Sequence, residues 1–251
     1  MTAKRLLMHP LVMSILLVLL VWQGSVSLFA INPRYLPAVA TVGQDIYNNG
    51  TLLLSSSWRT GLETVLGFGL GTLFGLACGI LFFYVAWIDR AWFPLFVISQ
   101  TVPVIAFGAL VVIWFGNTML SKVMIAFYLT FLPVTLNSKR GLQSVDPLQI
   151  SLLRSFGASG FRRFLSLHLP AAAPSIFVAM KLGISLGLVG AIVGEWFGDT
   201  EGLGVLLIQA MYNEDVVRMW SLIVICGALG ATLYGLVELF ERKFAWWGKQ
   251  P

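Results

Sequence analysis

Charge is absent from this chain over long, repeated intervals, and that pattern constrains the fold more than any motif does. Six uncharged runs stand out: Leu6 to Pro33, Thr64 to Ile88, Ala91 to Ser121, Val123 to Ser138, Leu182 to Gly194 extended backward past Lys181, and Met219 to Val237. A helix needs about 20 apolar residues to cross a bilayer, and most of these runs reach that length alone. The fourth reaches it if Lys122 extends its ammonium to the interface while its methylenes stay in the apolar layer. A mean hydropathy of +0.86 with 11% charged residues excludes a soluble domain. The expectation is an all-α integral membrane protein with six transmembrane helices, forming one domain over residues 1–251 with a core from 60 to 242.

Lys4 and Arg5 ahead of Leu11 to Trp22 resemble the charged and apolar parts of a secretory signal. The run is long and no small-x-small cleavage site follows, so an uncleaved anchor is expected. A cytoplasmic amino terminus then puts Lys4, Arg5, Arg90, Lys139, Arg140, Arg154, Arg162, Arg163, Arg242, Lys243 and Lys249 inside, and Arg34, Arg59, Lys122 and Arg218 outside. The positive-inside rule prefers this orientation, with both termini cytoplasmic. The net charge of +5 is accounted for by topology, and no basic cluster interleaved with aromatics points to nucleic acid.

Gly67, Gly71, Gly75 and Gly79 recur every four residues and line one stripe of the second span. Small residues on a stripe let two helices approach closely in lipid, where burial against a neighbour gains little. Gly190, Gly194 and Gly198 repeat the spacing at the end of the fifth span. Cys78 and Cys226 lie inside apolar runs and read as packing residues. His9 and His168 sit far apart at span boundaries, without a metal-ligand spacing. No phosphate-binding loop occurs and no Lys is followed by Ser or Thr, so no ATPase centre is expected in this chain.

The segment from Asp146 to Pro170 breaks the apolar pattern. It places Arg154, Arg162 and Arg163 around Gly157-Ala158-Ser159-Gly160, with Ser151 ahead of the break and Leu169-Pro170 closing it. A short helix to Phe156, a break at Gly157 and a second short helix around Phe161 to Leu167 would present Phe and Leu on one side and Arg on another. Such a knob suits a groove on a soluble partner, or an anionic lipid surface.

From Gly157 the sequence reads G-x9-L-x-L-P, ending at Leu167-His168-Leu169-Pro170. This resembles the E-A-A-x3-G-x9-I-x-L-P signature of permease subunits of bacterial ABC importers, with Val145-Asp146-Pro147 before it and Ala171-Ala172 after it also similar. The departure is at Ser151, Leu152 and Leu153, which stand where the family has E-A-A. Thr60 to Leu81, Gln100 to Gly116 and Gly194-Glu195-Trp196-Phe197-Gly198 with Gly202-Leu203-Gly204 resemble the branch serving nitrate, sulfonate, taurine and thiamine-precursor uptake. Thr60-x2-Glu63 and the Gly-Glu-Trp turn are most similar to permeases for hydroxymethylpyrimidine or riboflavin-type ligands.

The resemblance implies a type I ABC importer permease fold in the bacterial inner membrane. It also implies a homodimer with two cytoplasmic ABC ATPase subunits, an extracytoplasmic solute-binding protein, and ATP and Mg bound by the ATPase alone. Residues 146–170 become the coupling loop, with Asp146, Ser151, Arg154, Gly157, Ala158, Arg162, Arg163, Leu169 and Pro170 at the ATPase contact. Gln100, Thr101, Pro103, Tyr128, Lys181 and Glu195 are candidates for lining the translocation path. Lys181 either faces the path or reaches the cytoplasmic interface; Glu195 either shapes an outer gate or is an exposed boundary residue. A stand-alone secondary transporter or channel is the alternative, but the spans lack a repeated mid-membrane acidic residue.

Overall fold

The structure, a computed structural model, describes residues 10–244; Lys4, Arg5, His9 and Lys249 lie outside that range. Among the described residues the secondary structure is entirely helical. The elements are α1 (Pro10–Leu28), α2 (Val39–Asn48), α3 (Gly50–Tyr84), α4 (Ala86–Ser99), α5 (Val104–Phe115) and α6 (Met119–Gln143). After them come α7 (Pro147–Ser155), α8 (Gly160–Arg163) with a π turn (Phe164–His168), α9 (Leu169–Glu195), α10 (Leu203–Tyr212) and α11 (Val216–Phe244).

Helices α3, α6 and α11, together with the unbroken Gly160–Glu195 unit, are each long and apolar enough to cross a bilayer. Helices α4 and α5 qualify as one further span, bent by 103°. At 19 residues α1 sits at the short end of the spanning range. The amphipathic α2 and the short α10 are not spans.

The third apolar run, expected as one straight helix, is therefore broken. Pro103 has no N–H and disfavours the α conformation at Val102, so α4 ends before it and a new helix begins after it. The pair nonetheless crosses rather than returns, because its contacts climb α6 in antiparallel order. Asp89 meets Lys139 at 2.5 Å, Phe96 meets Phe131 at 5.6 Å between ring centroids, Ser99 meets Tyr128, Gly108 packs beside Ile125, and Asn117 meets Lys122.

Helix α6 is the axis of the molecule, held between α3 and α9. A Cβ added at Gly67, Gly71, Gly75 or Gly79 would run into Ala126, Thr130, Val134 or Ser138 respectively, so the α3 stripe lies directly on the α6 backbone. On the other side Gly183, Gly187, Gly190 and Gly194 of α9 face Thr130, Ala126 and Lys122. Thr130 donates to the carbonyl of Gly183 at 3.0 Å, a cross-helix bond of the kind that supplements close packing in lipid. Gly198 does not extend this second stripe as its spacing suggested. It lies beyond α9 at φ +86 and serves the turn that ends the helix.

Lys122 also departs from expectation. Its side chain is fully buried rather than extended to an interface, and its ammonium pairs with Asp199 at 3.0 Å and with Asn117. A buried charge persists only with such partners. The pair ties the first turn of α6 to the segment beyond α9.

Candidate functional site

Two regions have the geometry of a working surface, and a third is a buried polar junction. The first is the exposed segment between α6 and α9. Asp146 caps α7 by accepting from the Leu148 N–H at 2.8 Å, with Pro147 at the first helical position. The helix ends in a Schellman arrangement: Ala158 N–H donates to Leu153 O and Gly157 N–H to Arg154 O, each at 3.0 Å, with Gly157 at φ +73. Ser159 then caps α8 through the Arg162 N–H at 3.2 Å, and Arg163 donates to the Ala158 carbonyl at 2.9 Å.

Asp146, Gly157, Ala158 and Arg163 thus shape the segment from within. Ser151 is exposed and turns its hydroxyl to the Pro147 carbonyl at 3.0 Å. Arg154 and Arg162 stand outward in solvent. Leu148 and Leu152 of α7 and Phe156 at its C-cap recur every four residues and share a face. They are 74%, 56% and 78% exposed, and Phe161 of α8 is 72% exposed.

The second helix of the segment is not the separate short piece expected around Phe161 to Leu167. It runs through the π turn into α9 as one unit of 36 residues, with Leu169 and Pro170 inside it. His168 locks the junction, its Nδ1 lying 2.9 Å from the Leu142 carbonyl at the end of α6 and its ring against Phe83 of α3.

The second region is the break between α4 and α5. Gln100, Thr101 and Pro103 are all exposed there. The Ser99 carbonyl, at the end of α4, accepts from the Val102 N–H at 3.1 Å and also from the Tyr128 hydroxyl, while the Thr101 hydroxyl turns back to the Ile98 carbonyl at 2.8 Å. Tyr128 itself is buried and its ring stacks on Phe107 at 4.0 Å between centroids. It braces the break from behind, while Gln100 and Thr101 form the exposed surface. Irregular backbone at membrane depth is tolerated where it is buried in protein or lines a water-filled cavity, and not where it faces lipid.

Lys181 is placed elsewhere. It joins α9 to α11 through an ion pair with Glu241 at 2.8 Å, beside the ring of Tyr234. Glu195 is not an exposed boundary residue, being only 1% exposed. It anchors the third region, a junction at the end of the bundle opposite the exposed segment. There Thr60 lies 2.6 Å from its Oε1 and the Gly204 N–H donates to its Oε2 at 2.5 Å. Glu63 is buried nearby and takes a hydrogen bond from Arg59 at 2.8 Å.

Asp89, Asn117, Asp199 and Glu241 were missed in the sequence as partners of Lys139, Lys122 and Lys181. Arg59–Glu63 and Glu238–Arg242 did have a local signal, a four-residue spacing on a helix.

Comparison with known proteins gives this geometry a family. Residues 71–246 match the family described as "Binding-protein-dependent transport system inner membrane component". A probable ABC transporter permease protein of Haemophilus influenzae is 33% identical over 96% of this chain and 98% of its own length. The formylaminopyrimidine transport permease protein ThiX of Halalkalibacterium halodurans is 30% identical over 94% of each chain, and the riboflavin transport system permease protein RibX of Chloroflexus aurantiacus is 29% identical over 93% and 88%. In fold, the chain resembles the solved inward-facing MetNI methionine ABC transporter, with a TM-score of 0.67 at 19% identity over 76% of this chain and 95% of that one. The chain therefore belongs to the family of inner-membrane permease components of binding-protein-dependent ABC transport systems.

Proposed function

We propose that this permease subunit works as a homodimer in an inner membrane, with the α7–α8 segment on the cytoplasmic side docked to an ABC ATPase. Membership of the family makes the chain a small-solute transport component, not an enzyme, with an ATPase and a solute-binding protein as its partners. The observation that carries the docking reading is the stripe of Leu148, Leu152, Phe156 and Phe161, four large apolar side chains held in water by a rigid Schellman-capped turn. An apolar stripe of this kind on a helix suits a groove on a protein partner. Ser151 stands where the family has Glu and Leu152 where it has Ala, so the acidic group is lost and a larger apolar side chain is gained there, and exposed Arg154 and Arg162 flank it.

In this reading the break at Gln100–Pro103 lines the translocation path at mid-membrane, and ATP-driven closure of the docked loops alternates its access between the two sides. Solute enters from the side of α2 and α10. The solute we favour is an uncharged nitrogen heterocycle of the formylaminopyrimidine or riboflavin class over a sulfonate, taurine or nitrate-type anion. Two observations support that choice: the relatives of 30% and 29% identity are named for such heterocycles, and the three lysines within α6 and α9, Lys122, Lys139 and Lys181, already carry carboxylate partners.

The docking reading is tested by Phe156→Asp together with Leu152→Asp in the full chain co-expressed with its ATPase. Loss of the ATPase on purification, with the permease still folded, is expected. Retention of the ATPase with normal solute-stimulated hydrolysis would refute it. For the solute, uptake into cells carrying the complete system should be competed by an aminopyrimidine and not by taurine.

A further inference from the structure

We propose, resting on the docking of α7 and α8 set out above, that His168 is a catch on α9: one hydrogen bond from its ring to the end of α6 holds the two helices together in this conformation, and breaking it is part of the movement that the docked ATPase drives. The face of α9 that lies on α6 can be followed residue by residue. A Cβ at Gly141 of α6 would meet Ala172 at 3.1 Å, and further along Gly183, Gly187, Gly190 and Gly194 lie on Thr130, Ala126 and Lys122. His168 stands four residues before Ala172, on the same face. Beyond it that face is lost. Phe164–His168 form the π turn, in which the Leu169 N–H reaches back five residues to the Phe164 carbonyl. The added residue turns α8 by about 100° against the rest of the helix, and Gly160, Phe161 and Arg162 are exposed.

The bond closes this face at its last position. Leu142 is among the last four residues of α6, whose carbonyls have no partner within the helix, and His168 Nδ1 lies 2.9 Å from its carbonyl oxygen. A carbonyl only accepts, so the hydrogen is on Nδ1. The other contacts at this junction are apolar or small: Leu142, Ala172 and Ile176 form a buried cluster, and Gly141 lies on Ala172 and Ser175. Such contacts have no preferred direction and let one surface slide on another, whereas a hydrogen bond fails once it is bent or stretched.

Distance makes this bond sensitive to a tilt. Thr130 donates to the Gly183 carbonyl, about 22 Å along the helix from His168 at 1.5 Å per residue. A tilt of α9 by about 3° about that point moves His168 by about 1 Å and takes its 2.9 Å contact out of hydrogen-bonding range. The Lys181–Glu241 pair is close to Gly183 and hardly moves. Both helix ends feel the docked segment, because α7 follows from α6 and α8 leads into α9, so a pull on that segment acts across the bond. With the bond closed, the tilt waits for the ATPase; without it, α9 tilts unprompted and ATP is hydrolysed with no solute carried.

The test uses the full chain with its ATPase and binding protein in lipid nanodiscs. Only two histidines occur in the sequence, so nitrogen-15 labelling of histidine in the permease alone reports the ring by NMR, and His168→Asn assigns the signal. His168 should carry a hydrogen-bonded hydrogen on Nδ1 in the nucleotide-free complex and lose that hydrogen bond when the complex is held with ATP and vanadate. In a hydrolysis assay, His168→Ala should raise the rate without solute about fivefold, the factor that one lost hydrogen bond of typical strength gives, and lower the solute carried per ATP. His168→Asn, whose side-chain amide can donate in place of Nδ1, should stay near the wild type. A bare Nδ1 in the nucleotide-free complex, a signal unchanged by ATP and vanadate, or wild-type hydrolysis in His168→Ala overturns the proposal. So does a His168→Asn variant that behaves as His168→Ala, since packing and not the bond would then be at work. A wild-type chain that retains no ATPase on purification removes the docking reading instead, and the catch with it.

Discussion

Gly75→Ala, paired with Gly69→Ala on the same helix, tests whether the α3–α6 seam is set by backbone contact. A Cβ at Gly75 would sit 2.8 Å from the Phe131 carbonyl oxygen and 2.9 Å from Val134 Cβ, where ordinary contact begins at 3.4 Å. Neither obstacle can rotate away, since one is backbone and the other is the branch point of a valine. The helices must part by about half an ångström, and a gap of that size forfeits roughly a quarter of each dispersion contact along the seam. Overpacking of this kind costs about 1–3 kcal/mol, against a gain of about 1 kcal/mol from replacing glycine by alanine in a helix. At Gly69 nothing lies within 4 Å, so only the gain applies. The two variants should therefore differ by about 1–3 kcal/mol, with Gly69→Ala the more stable. At roughly 2–4 °C per kcal/mol for a chain of this size, the gap in Tm is several degrees, measurable by thermal unfolding of the purified chain in detergent or nanodiscs. Equal Tm values for the two variants would falsify the packing argument.

Lys122→Met leaves Asp199 without its cation and should destabilise the chain by about 3–5 kcal/mol, whereas Lys122→Met with Asp199→Asn should recover most of that loss in the same unfolding assay. Lys181→Met should lower Tm modestly and leave the KM for solute uptake unchanged, because the ammonium serves Glu241; a large rise in KM would return Lys181 to the path. Tyr128→Phe removes one of the two donors to the Ser99 carbonyl and should lower stability by about 1 kcal/mol and slow transport, measured as initial uptake rate.

The spans were legible because a bilayer demands a length and forbids stray charge, two conditions a single sequence displays directly. The four-residue glycine spacing on α3 showed which face is narrow, but the sequence held no record of which helix fills it. Pro103 announced an interruption, yet the 103° bend depends on Tyr128 and Phe107 bracing the break. Ion pairs were the least legible feature. Lys122 and Asp199, or Lys181 and Glu241, are brought together only when helices distant in sequence pack side by side, so Lys122 looked like a boundary residue and Lys181 stayed open between the path and the cytoplasmic interface. Glu195 was ambiguous for the same reason: its surroundings come from Thr60, Glu63 and Gly204 on other elements.

The continuity of residues 160–195 through the π turn turns α9 into a lever. Gly183 and Gly187 press on Thr130 and make a natural fulcrum. At 1.5 Å per residue the arm toward Arg162 is about 35 Å and the arm toward Glu195 about 15 Å. A rigid swing about that point shrinks a push at the exposed end to roughly two fifths of its size at the opposite end. The linkage thus trades travel for force, so a shift of a few ångströms at the exposed end, where we propose that an ATPase docks, would arrive at Glu195 as a movement of about one ångström. That is the scale on which the contact between its carboxyl and the Gly202–Gly204 turn is made or broken.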